Sequence, residues 1–426
     1  MLAGCAGWLA TLCMACSSSS GGGPRTPLSG GSPATDSAGA EVGAAGAAGS
    51  GARWVGTWAC GPQTTEQGNL PPAPGLNGNT LRQAIHVTLG GRRLRLRLSN
   101  EFGTNPVTMD AVHVAAYRGG GAIDTASDQA LTFGGTSTVT IPVGQVSWSD
   151  PFDYNLVALS DLAISIHFTD MTGDVTGHPG SRTTSYIQSG NAVSAESMAS
   201  AASTAHWYFI TGLDALAEGS SAALVVLGDS ITDGRGSTTD RNDRWPDDLA
   251  RRLQANAATA TVAVLNQGIG GNAVLSGGLG PTAVQRFERD VLGQSGARWL
   301  IVFEGVNDIG GSSATGAATV ANNLIGAFQN FVTKAHQANQ RAYGATISPL
   351  GTNYFTTERE SARQTVNDWI RTSNVFDGVI DLDAAVRDPT NAAILLAAYD
   401  SGDGLHLNPT GYQQMADSVD LSLFVQ

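Results

Sequence analysis

The sequence predicts two folded parts in tandem. Residues 53–215 read as an all-β sandwich or jelly roll, and residues 219–426 read as an α/β part built on a parallel five-stranded sheet flanked by helices. Three observations support this. Before residue 215, short strand-like runs recur with Gly, Pro, Asn and Asp between them and no helical period, as in antiparallel β domains. After Gly219, strands and helices alternate, which implies a parallel sheet with right-handed crossovers. At 426 residues the chain is also too long for one core.

The first fifteen residues are apolar but too short to span a bilayer, and they run into Cys16 and a Ser/Gly tract. This stretch, 1–16, resembles a bacterial lipoprotein signal that is cleaved before a cysteine that becomes lipid-anchored. The basic start of such signals is missing, and Cys13 stands where they favour Leu. Leu2-Ala3-Gly4-Cys5 fits the same pattern more closely but has only Met1 ahead of it. The expectation is a bacterial, exported protein, either anchored at the cell surface through Cys16 or Cys5 or released as a secreted or periplasmic protein. Residues 17–52 are Ser, Gly, Ala and Pro with little to bury, and read as a flexible tether. Of the four cysteines only Cys60 falls in the folded part, so no disulfide framework is expected.

Within the β part, Leu94-Arg95-Leu96-Arg97-Leu98 alternates strictly, which predicts a half-buried strand with its arginines facing solvent. Further strands are read at 81–88, 111–117, 139–141, 162–168 and 206–211. In the α/β part, strands are read at 223–227, 261–265, 299–303, 341–346 and 379–382. Helices are read at 245–256, 282–292, 317–338, 357–372 and 409–418. The run Leu224-Val225-Val226-Leu227 is a strand covered on both faces. It ends on Gly228-Asp229-Ser230, where open α/β sheets bind ligands.

Four polar or glycine-rich clusters fall at strand ends or in the last loop. They are Ser230, the stretch Asn266-Gln267-Gly268-Ile269-Gly270-Gly271-Asn272, the stretch Glu304-Gly305-Val306-Asn307-Asp308, and Asp403 with His406. Acyl transfer needs these residue types. A serine hydroxyl needs a base, and the histidine needs a carboxylate to hold its tautomer and stabilise its cation. The oxyanion needs donors, which a glycine N–H and an asparagine amide can supply. Each cluster taken singly has a plainer explanation as a turn, a tight connection or a helix cap.

Together, and in this order, the four clusters resemble the blocks of the SGNH, or GDSL-type, hydrolases over residues 224–421. The resemblance implies a three-layer, flavodoxin-like sheet. It also implies catalytic Ser230, His406 and Asp403 and an oxyanion hole of Ser230, Gly271 and Asn307, with Gly268 and Gly270 as runners-up to Gly271. Asp229, Asp308, Glu304, Trp245 and Asn272 are candidates to support or line the pocket, and His178 and His206 are candidates for its rim. The chain departs from α/β-hydrolases proper, because Thr232 stands where their serine elbow needs a glycine.

Trp54-Val55-Gly56-Thr57-Trp58-Ala59 and Leu98-Ser99-Asn100-Glu101-Phe102-Gly103 are similar to a two-domain branch of that family. Members of this branch include aryl- and acetyl-esterases associated with polysaccharide degradation. The reading is therefore an exported serine esterase acting on short-chain acetyl or aryl esters, on a small molecule or a polysaccharide. Alternatives are a lipase or lysophospholipase, and a carbohydrate-binding surface protein with an idle hydrolase part. No metal and no cofactor are expected, since neither a zinc nor a phosphate-loop motif occurs. The net charge of −13 argues against nucleic acid as a partner. The sequence leaves the oligomeric state open.

Overall fold

The computed structural model describes residues 51–198, 200–217 and 219–425. The leader 1–16, its cysteines, and the tether up to residue 50 lie outside the described residues.

The β part is two antiparallel sheets face to face. One orders Arg53–Ala59, Ile210–Ala217, Gly91–Ser99 and Phe152–Leu156, with Val146–Trp148 also pairing onto Gly91–Ser99. The other orders Ala202–Thr204, Ser185–Ser189, Asn79–His86, Asp161–Asp170 and Val107–Gly119. Alternation puts Leu81, Ile85, Val112, Val114, Ile164 and Ile166 of one sheet against Leu94, Leu96, Leu98 and Leu213 of the other, all buried. The strand expected at 206–211 is broken at Phe209, whose φ is +61°. Trp207–Tyr208 pairs with Thr176–His178 in a small third sheet, while Ile210–Ala217 joins Gly91–Ser99. That break turns the Thr176–His178 segment toward the α/β part.

One expectation fails here. Arg95 and Arg97 do not face solvent. The Arg95 guanidinium lies 4.6 Å from the centre of the Trp54 ring and 4.3 Å from that of Trp148, and donates to Asp214 Oδ2 at 2.9 Å. Arg97 is buried and donates to Thr211 Oγ1 at 3.0 Å. The reason is that the α/β part packs against this sheet. Gly56 N–H donates to Ser295 O at 2.9 Å, Ser295 Oγ donates to Asp214 Oδ2 at 2.7 Å, and Thr88 Oγ1 bonds both the carbonyl and the N–H of Val264. Val55, Ala59, Leu89 and Ala217 bury their side chains in the α/β core rather than in the sandwich. Local alternation identified the strand but could not reveal that its polar face would be covered.

The parallel sheet orders Val262–Gly268, Ala222–Gly228, Ala297–Phe303, Arg341–Ala345 and Gly378–Ile380, with every neighbouring pair parallel. In chain order the strands run second, first, third, fourth, fifth. The direction of winding therefore reverses beside the first strand, and a crevice opens at the carboxyl ends of the first and third strands. Ala222–Gly228 is buried at every residue, as its unbroken apolar run requires.

Helices Trp245–Ala255, Ala317–Gln337, Thr357–Thr372 and Pro409–Ser418 flank the sheet close to their expected bounds. Ala317–Gln337 buries Ala321, Leu324, Phe328, Phe331, Val332 and Ala335, one stripe at helical spacing. The helix expected at 282–292 begins on a Thr282–Gln285 capping box, runs as Ala283–Phe287, and widens into a π turn over Glu288–Leu292. Among the short helices that escaped the sequence reading are Ser230–Asp233 and Val306–Gly311, both directly after sheet strands. They are too short to show a period, and they carry the site.

Candidate active site

Ser230 is the first residue of the short helix that follows the central strand. Asp229 caps that helix by accepting from Ile231 N–H at 2.9 Å, which leaves the serine side chain at the strand's exit. Ser230 Oγ lies 2.8 Å from His406 Nε2, and His406 Nδ1 lies 2.7 Å from Asp403 Oδ2. One loop supplies both partners. Asp403 Oδ1 accepts from the N–H groups of Leu405 and His406 at 3.0 and 2.8 Å, while Asp400 Oδ1 accepts from those of Gly402 and Gly404.

These contacts set the charges. Burial works against the Asp403 carboxylate, but the His406 and Leu405 hydrogen bonds outweigh it and hold its pKa at about 2. Burial lowers the His406 pKa below the usual imidazole value against the pull of Asp403, and the charges of Arg235 and Arg182 add to the lowering. Both effects favour the neutral imidazole, whose Nε2 faces the Ser230 hydroxyl.

The proposed oxyanion donors converge on the same place. Ser230, Gly271 and Asn307 line one cavity of about 390 Å³ together with His406. The N–H groups of Ser230 and Gly271 find no protein acceptor among the described residues. Gly271 sits at φ +70°, a left-handed conformation that favours glycine. Asn307 donates one amide hydrogen to Asn272 O at 2.8 Å and accepts from the Tyr354 hydroxyl at 3.1 Å, so its orientation is held and a second amide hydrogen remains. Of the runners-up, Gly270 also lines the cavity and Gly268 does not. A Cβ on Gly268 would come 2.3 Å from Asp233 N, so this glycine serves close packing of the Ser230–Asp233 helix on the neighbouring strand.

The supporting candidates lie behind the cavity rather than in its wall. Trp245 is fully buried, donates to Thr232 Oγ1 at 3.3 Å and packs edge-on to Phe303, so it belongs to the core. Asp308 accepts from Val274 and Leu275 N–H at 2.8 and 2.9 Å and so ties down the loop that follows Gly271. Asn272 donates to Leu279 O and Pro281 O and accepts from Arg286 Nε at 3.0 Å.

Arg286, absent from the sequence reading, is the hub of this layer. It is fully buried and donates to the carbonyls of Gly228 and Gln267 and to Asp290 and Glu304. Burial pushes the Asp229 carboxyl up to about 7, with the charges of Asp308 and Asp233 adding to the rise, and it pushes the Glu304 carboxyl well above its ordinary range, with Asp229 adding to it.

The β part walls the cavity too. Gln63, Glu66, Asn69, Arg182 and His206 line it opposite the α/β loops. His206 is therefore at the rim as expected. His178 is buried instead, stacked on Trp207, with Nδ1 at 2.9 Å from Gly61 O and Nε2 at 2.9 Å from Asp233 Oδ1. It joins the sandwich to the last residue of the helix that begins at Ser230. No local signal marks Arg286, Tyr354 or Arg182, nor the burial of His178, because each acts on residues far away in sequence. Among the described residues no cluster of His, Cys, Asp and Glu is arranged to hold a metal ion, and no helix is long and apolar enough to cross a membrane.

Comparison with known proteins gives a family match to part of the chain. Residues 226–414 match the GDSL-like lipase/acylhydrolase family model. No curated protein matches the chain. Among solved structures, an acetylxylan esterase of Geobacillus stearothermophilus, Axe2, is similar at 21% identity and a TM-score of 0.37, over 47% of this chain and 93% of its own. The acetyl xylan esterase AlAXEase is similar at 23% identity and a TM-score of 0.36, over 46% and 96%. An α/β hydrolase from the metagenome of Lake Arreo, Spain, is similar at 19% identity and a TM-score of 0.35, over 46% and 92%. The match spans residues 226–414, so this part of the chain is similar to the GDSL-like lipases and acylhydrolases, and it supports carboxylic ester hydrolysis as its chemistry.

Proposed function

We propose that the protein is an exported serine esterase that removes short acyl groups, acetyl first, from aryl or carbohydrate alcohols. The observation that carries this is the unbroken hydrogen-bond chain from Ser230 through His406 to Asp403, opening onto a cavity lined by the Gly271 backbone and the Asn307 amide. In this reading Ser230 Oγ attacks the ester carbonyl carbon as its proton passes to His406 Nε2. The Ser230 and Gly271 N–H groups and the free Asn307 amide hydrogen receive the oxyanion. The tetrahedral intermediate collapses, His406 returns the proton to the departing alcohol, and a water activated by His406 then cleaves the acyl-serine. Asp403 keeps the imidazole in the tautomer that leaves Nε2 unprotonated. Export rests on the apolar leader and Ser/Gly tether, and the mass of the mature N-terminus, lipidated on Cys16 or Cys5 or not, tests that part.

The esterase reading is tested with p-nitrophenyl esters of increasing acyl length. We expect kcat/KM to fall by about tenfold or more between acetate and octanoate, the scale set by forcing excess volume into a formed pocket. A maximum at octanoate would favour a lipid esterase. Absence of hydrolysis at every length would remove the proposal.

The pH profile gives a second expected result. Because the His406 pKa is lowered by burial, kcat/KM for acetate should stay on its plateau as pH drops through the ordinary histidine value near 6.5 and fall only below it. Asp403 stays ionised throughout this window. An acid limb centred above 6.5 would contradict the assignment of His406 as base.

A further inference from the structure

Two guanidiniums lining the cavity take no part in the steps above. Arg182 comes from the β part and Arg235 from the turn after the nucleophile's helix, and both share the cavity with Ser230 and His406. This chain carries a surplus of carboxylates, and three of its buried arginines pair with them, Arg286 with Asp290, Arg363 with Asp383 and Arg244 with Asp247. Among the described residues no hydrogen bond, ion pair or ring contact engages the guanidinium of Arg182 or Arg235, and Arg182 Nε is buried without an acceptor. A buried donor left unpaired carries a desolvation cost that an incoming acceptor removes.

The backbone is built to hold Arg182 there. Its φ is +51°, uncommon for a residue other than glycine. Hydrogen bonds clamp both sides: Asp240 N–H donates to Arg182 O at 2.9 Å, Arg244 Nη1 donates to Ser181 O at 3.3 Å, and Thr184 N–H donates to Asp240 Oδ1. Strain maintained by its surroundings is characteristic of functional positions. Of the acids of the same cavity, Glu66 is engaged by the amides of Gln63 and Asn69, and Asp233 bonds His178 through Oδ1 while its Oδ2 is without a partner. Arg235 also lines the adjoining hollow beside Asp403, Leu405 and His406, which places it on the histidine's side of the serine. The lowering of the His406 pKa by both arginine charges agrees with that placement.

Since the histidine delivers its proton to the departing alcohol, whatever these cations bind belongs to the alcohol portion. We infer that the ester substrate carries an anionic group, a carboxylate or similar oxyanion, on its alcohol portion, and that Arg182 and Arg235 hold it. The inference rests on the esterase reading above and narrows its substrate class. Guanidinium suits the role because its planar fork of N–H donors matches carboxylate geometry.

The test compares 4-acetoxybenzoate with 4-acetoxybenzamide, which share acyl group and ring and differ in charge, using the full chain. We expect kcat/KM to favour the anionic ester by about tenfold at low salt and the preference to shrink at high salt. Arg182→Gln and Arg235→Gln should each reduce that ratio by about fivefold, and Arg182→Lys should keep more of it than Arg182→Gln. Arg235 is exposed, so its variant decides the matter should Arg182→Gln fail to fold. Equal rates on the two esters in the native protein, or a ratio unchanged in the glutamine variants, would overturn the inference. A neutral fluorophosphonate that labels Ser230 separates the two levels. Labelling with no charge preference removes this inference alone, whereas no labelling and no hydrolysis of either ester removes the esterase reading and this inference with it.

Discussion

Ser230→Ala should lower kcat for p-nitrophenyl acetate by about 10⁴-fold or more while leaving the fold unchanged. The magnitude follows from the unit behaviour of a serine–histidine–carboxylate chain, in which loss of the nucleophile alone removes nearly all that the chain contributes. The fold should survive because the Ser230 hydroxyl makes one side-chain hydrogen bond, to His406 Nε2, and that nitrogen faces the cavity, where water can replace it. The helix cap on Ile231 belongs to Asp229 and is untouched. Circular dichroism should match the native protein, and covalent labelling by a fluorophosphonate should disappear. A variant retaining a tenth of native activity would mean that another group attacks the ester.

The second large effect concerns a residue that never touches the cavity. Arg286→Met should destabilise the protein by about 3–5 kcal/mol, the range for breaking a buried ion pair from one side. Arg286 has no exposed surface, and its loss leaves the fully buried Glu304 without its donor and takes one cation from Asp290, which keeps Arg289. It also leaves the carbonyls of Gly228 and Gln267 without the donors they now have, at the carboxyl ends of the two strands that carry the serine and glycine loops. Activity should fall with stability, because the strand end that aims Ser230 loses its brace. Adding Glu304→Gln should recover part of the loss, since a neutral amide does not need the cation. Urea unfolding measures both effects, and a single-variant change below about 0.5 kcal/mol, the scale of ordinary surface substitutions, would refute the bracing role.

Much of this was legible in the linear chain, for a physical reason. A strand buried on both faces must be continuously apolar, and a helix on a sheet must be apolar at its own period, so 223–227 and 317–338 announced themselves. The residues that bring chemistry to a strand's end are adjacent to it in sequence, so the clusters at 230, 266–272 and 304–308 could be found there, while the choice of Gly271 and Asn307 within them came from the resemblance to the SGNH hydrolases. Asp403 and His406 sit three apart on one loop, and their hydrogen bond at 2.7 Å is local.

What failed to show in the sequence was long-range. Arg95 and Arg97 obeyed the alternation of an exposed face, yet the α/β part covers that face. Trp245 and Glu304 stood near the site in sequence but point into the core behind it. Arg182, His178 and Tyr354 lie 48, 55 and 47 positions from the site residues they share the cavity with or bond, Ser230, Asp233 and Asn307. Periodicity and short motifs report only on near neighbours along the chain, so the sequence by itself determined the two folded parts, the order of their elements and the four clusters. Tertiary packing decided that the β part walls the cavity, that Arg286 braces it from behind, and that two cations open into it unpaired. Those outcomes depend on which surfaces two separately patterned parts bury against each other, and no window of sequence contains both surfaces.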